Sequence, residues 1–290
     1  MSWNIIVRRA GLAAAAVVTM SVGTSALAAG DLLVAPTRIV LDGQRGAEVV
    51  LSNIGAEPAV YRVSVELRRM QPNGDLAEVD PAAATPQERA MLDMAVVTPR
   101  RVRLEPNQPQ TVRVGLRPPP ELANGEYRAH LLFRAVPSEA PAAPTPAPTD
   151  ASAPAAPTAA GNSRGVSIAL RPIYGITIPL IVRRGPLDAQ ATIANARLER
   201  IGQQPTFRLE LGRTGNRSVF GDITVSRPGA ATPLMQFRGL SVYTEVAQRN
   251  VTIPLTPEQE SALRGPVVVR YIADGDSGGV TLAETTATLR

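Results

Sequence analysis

Residues 166–182 read Val-Ser-Ile-Ala-Leu-Arg-Pro-Ile-Tyr-Gly-Ile-Thr-Ile-Pro-Leu-Ile-Val. Val166, Ile168, Leu170, Pro172, Tyr174, Ile176, Ile178, Leu180 and Val182 all fall on even positions. That two-residue period is the mark of a β-strand. At about 3.3 Å per residue the segment would extend about 56 Å, whereas an ordinary strand has about five or six residues. A sandwich of this chain's size covers only part of such a strand. Pro172 and Pro179 donate no backbone hydrogen bond, which places the segment at a sheet edge or a bulge. The expectation is a strand half used by its own domain, with an apolar overhang that another polypeptide covers.

The segments on either side sharpen this reading. Residues 137–164 are mostly Ala, Pro, Thr and Ser, with almost nothing to bury, and read as a disordered or extended loop. Before that loop the strand period recurs. Tyr61, Val63, Val65 and Leu67 alternate with Arg62, Ser64, Glu66 and Arg68. Val112, Val114 and Leu116 alternate with Arg113 and Arg117, and Tyr127, Ala129, Leu131, Phe133 and Ala135 with Arg128, His130 and Arg134. Such strands are expected to turn one face to a core and the other to water. Asp42-Gly43, Pro72-Asn73-Gly74 and Pro118-Pro119-Pro120 punctuate them as turns. One short helix is expected over Pro86 to Met94. After Arg183-Arg184-Gly185-Pro186 a second strand-rich unit begins. Phe207, Leu209 and Leu211 alternate there, as do Val267, Val269, Tyr271 and Ala273, and Val280 to Leu289 closes the chain. The fold class is all-β, with repeated short strands that point to sandwiches.

Composition narrows the chemistry. The chain has 290 residues, 44% of them apolar, no cysteine, and one histidine, His130. That length suits two domains; disulfides and thiolate metal sites are excluded. All 30 basic residues are arginine, which reads as compositional bias rather than selection for bidentate anion binding. They are interleaved with Asp and Glu, without an aromatic-flanked basic stripe, so no nucleic-acid partner is expected. Residues 1–28 read as a secretory signal. Arg8 and Arg9 precede an apolar run from Ala10 to Val22, and Ala26-Leu27-Ala28 supplies a cleavage site. The run is short for a membrane span, which needs about 20 residues. Removing the segment lowers the formal charge from +5 to about +3. The mature chain is expected outside the cytoplasm, without membrane insertion.

Gly275-Asp276-Ser277-Gly278-Gly279 spells the nucleophile segment of trypsin-like proteases, and His130 precedes it. The context argues against an enzyme. Val280 follows where proline is usual, and Arg128-Ala129-His130-Leu131 does not resemble the histidine motif. A triad needs the imidazole beside the serine, and the two fall in separate units. Gly and Asp between two apolar strands make a hairpin turn at low steric cost. His130 reads as a polar-face strand residue. Asp75, Glu78 and Asp80 read as loop charges, and Asp274 with Asp276 matches no calcium loop. Neither a metal nor a cofactor is expected.

The first unit resembles the PapD-like periplasmic pilus chaperones. Pro36-Thr37-Arg38-Ile39-Val40-Leu41 looks like that family's first strand, and Val49-Val50-Leu51-Ser52-Asn53 with Pro58 like its second. Arg103-Leu104-Glu105-Pro106 followed by Val112-Arg113-Val114 looks like its central signature. Gly125-Glu126-Tyr127 through Phe133 and Pro137 resembles the strand before its variable loop, and Ile168-Ala169-Leu170 the start of its long last strand. The resemblance covers about residues 30–184 and implies two immunoglobulin-like β-sandwich domains set at an angle. The first would span 29–184, with the loop 137–164 and the donor strand 166–182; the second would span 185–290. It implies a periplasmic chaperone that binds pilin or fimbrial subunits by donor-strand complementation and passes them to an outer-membrane usher. Val166, Ile168 and Leu170 would be the donor residues. Two basic cleft residues hold the subunit's terminal carboxylate in that family. Arg38 matches the first. The second, usually a lysine, has no match at Gly175 or Thr177; Arg171 and Arg183 lie on the required odd-numbered face, and Arg171 is the substitute. The Ala/Pro loop is longer than in the family's short-loop type. A dimer that caps its own edge strand is compatible with this picture. The alternative function is a secreted two-domain adhesion or envelope scaffold.

Overall fold

The computed structural model describes residues 32–43, 45–137, 173–274 and 279–290. Their fold is two β-sandwiches in series. The chain changes sheets within its first few described residues. β1 (Leu32–Ala35) pairs with β3 (Gly46–Asn53), whereas β2 (Ile39–Asp42) runs parallel to β11 (Gly175–Arg184) in the opposite sheet. The resemblance implies one first strand from Pro36 to Leu41. The structure adds Leu32–Ala35 and breaks the path at Pro36, which has no N–H with which to continue a ladder. Arg38 lies at this crossing, immediately before β2.

The first sandwich sets the sheet β1-β3-β9-β7 against β2-β11-β10-β4-β8. Here β4 is Ala59–Glu66, β7 Ala95–Thr98, β8 Arg101–Leu104, β9 Gln110–Leu116 and β10 Gly125–Val136. The expected alternation is observed: Tyr61, Val63, Val112, Val114, Leu131 and Phe133 are each at most 2% exposed. Each such side chain contributes about 1.5–3 kcal/mol by leaving water. A hairpin of β5 (Arg68–Met70) and β6 (Leu76–Glu78) turns at Pro72-Asn73-Gly74. Helix α1 (Pro86–Met94) occupies the expected residues. Thr85 and Glu88 form a reciprocal cap, Pro86 opens the first turn, and Met91 and Met94 are buried. Arg69, bonded to both Glu88 oxygens, holds that carboxyl down to about 2, against partial burial that pulls the other way.

The second sandwich sets β12-β13-β16 against β15-β14-β17-β18. These are β12 (Ala189–Ile201), β13 (Gln204–Gly215), β14 (Val219–Ser226), β15 (Met235–Val242), β16 (Gln248–Pro254), β17 (Gly265–Ala273) and β18 (Thr281–Leu289), with helix α2 (Pro257–Leu263). Phe207, Leu209, Leu211, Val267, Val269 and Tyr271 fill its core. β17 and β18 are antiparallel neighbours, joined through the Gly-Asp-Ser-Gly segment, whose residues 275–278 lie outside the described residues.

A third apolar cluster joins the sandwiches. Met70 and Ile181 of the first pack with Tyr243 of the second, and Val40, Leu76, Phe220 and Val246 lie against them. This corrects the expectation that the second face of β10 lies in water. Glu126, Arg128 and His130 are 3%, 7% and 0% exposed, because the second sandwich covers that end of the strand. His130 is on the polar face of its strand, but that face is an interface.

Candidate functional site: an uncovered strand flank and the seam between the sandwiches

β11 has two unequal flanks. On one side β10 pairs with it along its whole length, from Gly125↔Arg184 to Arg134↔Gly175. On the other, β2 pairs only with Leu180–Arg183. Among the described residues no strand pairs with Gly175–Pro179 on that second side. Pro179 falls where the covered stretch ends, as expected for an edge position that has no N–H to offer. Ile176, Ile178, Leu180 and Val182 all turn into the first core, so this half of the even-numbered row is used within the domain. The chain arrives at β11 through Ile173 and Tyr174, which are 58% and 44% exposed. The donor residues Val166, Ile168 and Leu170, and the substitute anchor Arg171, lie outside the described residues.

Arg38 faces the second sandwich. Its Nη2 lies 2.9 Å from both carboxylate oxygens of Asp274, which follows β17. Its guanidinium carbon is 4.3 Å from the centre of the Phe220 ring on β14. The two charged side chains remain 29% and 26% exposed. Solvent therefore screens the pair, which is worth at most about 1 kcal/mol; the ring contact adds about 0.5–1 kcal/mol. A carboxylate thus sits on the one sequence-predicted anchor within the described residues, and it comes from this chain's own second sandwich.

Two tighter ties flank this pair. Glu126, whose side chain is 0% exposed, accepts from Arg183 Nε at 3.1 Å. It also accepts from the Ser218 backbone N–H at 3.1 Å and from the Ser218 hydroxyl. Arg183, the other odd-face arginine, is therefore committed to the seam. Arg128 pairs with Glu245 at 2.6 Å, donates to the Arg68 carbonyl at 2.8 Å, and lies 4.0 Å from the centre of the Tyr243 ring. The β5–β6 turn adds a backbone bond, from Asn250 N–H to the Pro72 carbonyl at 2.6 Å. Burial of His130, together with the charges of Arg128 and Arg68, pushes its imidazole down to about 3.

Among the described residues no cluster of His, Asp and Glu is placed to hold a metal ion, and no helix is long and apolar enough to cross a membrane. Asp274, weighed in the sequence as a calcium ligand, is bound by Arg38. Asp75, Glu78 and Asp80 sit at the β5–β6 hairpin and the start of a short 3-10 turn, where Asp80 caps Ala82 N–H at 2.8 Å. Reading the sequence alone missed Asp274, Glu126, Phe220 and Tyr243 as seam residues.

No protein-family model and no curated protein matches the chain. Solved structures are similar to it. The E. coli chaperone DraB is 16% identical, with a TM-score of 0.41 over 89% of this chain and 96% of that one. The SafB chaperone of Salmonella enterica, solved with the SafA pilin, is 16% identical, with a TM-score of 0.42 over 90% and 97%. The CsuC–CsuE complex of chaperone and tip adhesion subunit from Acinetobacter baumannii is 11% identical, with a TM-score of 0.43 over 89% and 99%.

Proposed function

We propose that the chain is a PapD-like pilus-assembly chaperone of the periplasm, which lends the segment leading into β11 to a fimbrial subunit and hands that subunit to an outer-membrane usher. The observation that carries this reading is the uncovered flank of Gly175–Pro179, continuous with exposed Ile173 and Tyr174. A subunit that lacks one strand of its own sandwich exposes an apolar groove and unpaired edges, and both aggregate. A strand added beside Gly175–Pro179 satisfies backbone groups on both proteins. Val166, Ile168 and Leu170 then fill the groove, at about 1.5–3 kcal/mol each before ordering costs.

Arg38 sets the register. The subunit's terminal carboxylate takes the place of Asp274 on the guanidinium, so one anion replaces another and the net electrostatic gain is small. Affinity therefore comes mainly from the apolar side chains, and alignment from the anchor. Asp274→Asn removes the competing anion and is expected to tighten subunit binding by about three- to tenfold, whereas Arg38→Ala weakens it by a similar factor. Competition of each variant with wild type for a pilin supplied as the purified wild-type complex reads both; if neither variant changes the share of pilin it takes, Arg38 is not the anchor.

The donor assignment is tested by co-expressing the chain with a pilin encoded beside it. Wild type is expected to yield a soluble one-to-one complex, and Ile168→Asp to reduce that yield at least about tenfold, because a buried carboxylate lacks a partner in the groove. A soluble complex with undiminished yield from the Asp variant would remove Ile168 from the donor strand.

A further inference from the structure

Three arginines stand abreast on the outer face of the first sandwich. Arg134 on β10 is the direct partner of Arg62 on β4, and Arg62 is the direct partner of Arg101 on β8. All three are exposed, while their neighbours Phe133, Tyr61, Val63 and Val102 point into the core. Residues directly opposite in an antiparallel pair have Cβ atoms about 4.5–5.5 Å apart, and like charges there destabilise the sheet. Elsewhere an acid relieves that arrangement: Arg197 and Arg208 are direct partners, but Glu199 forms an ion pair with each. Arg113 faces Glu48, and Arg270 faces Glu284, each as direct partners joined by an ion pair. Among the described residues the side chains of Arg62, Arg101 and Arg134 have neither an ion pair nor a hydrogen bond.

The row also has a direction. Across the other side of β10, the partner of Arg134 is Gly175, where the uncovered flank of β11 begins. A strand added there would lie about 4.8 Å beyond Gly175, and so about 10 Å from the β10 backbone. Gly175 places no side chain in the gap. A Cβ built on it would come within 3.1 Å of Leu132 Cδ1, on the same outer face as Arg134. Leu132 thus fills part of the space over Gly175, and the exposed Arg134 guanidinium, level with Gly175 on the same face, can extend over that apolar floor toward a strand docked at the edge, with Arg62 and Arg101 extending the positive field behind it.

We propose that the row Arg101–Arg62–Arg134 recognises carboxylates on the polypeptide that docks at the β11 edge, and so selects clients whose outward side chains there are acidic. The inference rests on strand addition at this edge. Stability lost to like-charge repulsion in the free chain returns when an acidic strand neutralises the row.

The test uses the mature full-length chain and three fluorescein-labelled decapeptides in which valine alternates with serine, glutamate or lysine. Anisotropy titrations are expected to rank glutamate about tenfold tighter than serine, and lysine weakest, with the glutamate advantage shrinking as salt rises. The double substitution Arg62→Ser with Arg134→Ser should bring the glutamate peptide to the serine level and leave the serine peptide unchanged. Its melting temperature should not fall, because only exposed like charges are removed. If serine and glutamate peptides bind wild type equally, the charge inference fails and strand addition stands. If none of the three binds, strand addition fails and the inference falls with it. If the double variant loses binding to phosphatidylglycerol vesicles yet keeps the glutamate advantage, the row belongs to a lipid surface and the proposal is overturned.

Discussion

Glu126→Ala is expected to lower stability by about 3–5 kcal/mol and to uncouple the two sandwiches. Removing one member of a buried ion pair leaves the other charge desolvated and unpaired, which is where costs of that size arise. Arg183 would be that charge, with its side chain 14% exposed, and the Ser218 backbone N–H and hydroxyl would lose their acceptor together. Glu126→Gln separates these contributions. It can still accept from Ser218 but no longer balances Arg183, so an intermediate cost is expected. Ser218→Ala, which removes one hydroxyl, should cost about 1 kcal/mol. Urea titration followed by circular dichroism measures all three, and small-angle scattering reads the coupling as a larger radius of gyration for the Ala variant at low urea. A Glu126→Ala loss below about 1 kcal/mol, with unchanged scattering, would mean that Glu126 does not tie the sandwiches together.

What the sequence made legible is what local periodicity encodes. Phe207, Leu209 and Leu211 alternate because one face of β13 is apolar, and they are buried accordingly. Helix α1 announces itself by Thr85, Pro86 and Glu88, each acting within one turn. The seam is different in kind, because its partners are far apart in the chain: Glu126 and Ser218 by 92 positions, Arg128 and Glu245 by 117, Arg38 and Asp274 by 236. An arginine bound for an interface and an arginine bound for water look the same within an alternating strand, which is why His130 and Arg128 read as solvated. One signal was nonetheless present. Ile181 occupies an odd position on β11, whose even positions feed the core, and it is 0% exposed. Phe220 likewise falls out of step with Val219, Ile223 and Val225 on β14, and both belong to the cluster between the sandwiches. Large apolar residues on the wrong parity mark a covered outer face. In a chain only 3% aromatic, an outward Phe carries weight. The donor residues, by contrast, were read from alternation alone, and Val166, Ile168 and Leu170 lie outside the described residues.

Acid should weaken the same seam through His130. Its imidazole is held down to about 3, first by burial and then by Arg128 and Arg68. Arg128 Nη1 lies 3.2 Å from Nε2, and a guanidinium can only donate, so the folded state needs that ring nitrogen unprotonated. Tyr243 stands edge-on at 6.4 Å, Glu66 is the direct strand partner on β4, and Glu245 is already engaged by Arg128. Once unfolded, the ring takes up its proton near 6.5. Below that pH the unfolded chain binds more protons than the folded one, so stability rises with pH. The stabilisation is complete above about pH 6.5 and is lost as pH falls toward 3, at up to about 1.4 kcal/mol per unit. Between pH 7 and pH 5, before most carboxylates titrate, the expected loss is about 2 kcal/mol. His130→Gln keeps an acceptor for Arg128 but cannot titrate, so its stability should stay level across that interval. Since His130 is the chain's one histidine, its imidazole resonances are the only ones to follow by NMR. A folded-state midpoint near 6.5, or equal acid losses in wild type and the Gln variant, would mean that the second sandwich leaves the ring open to water.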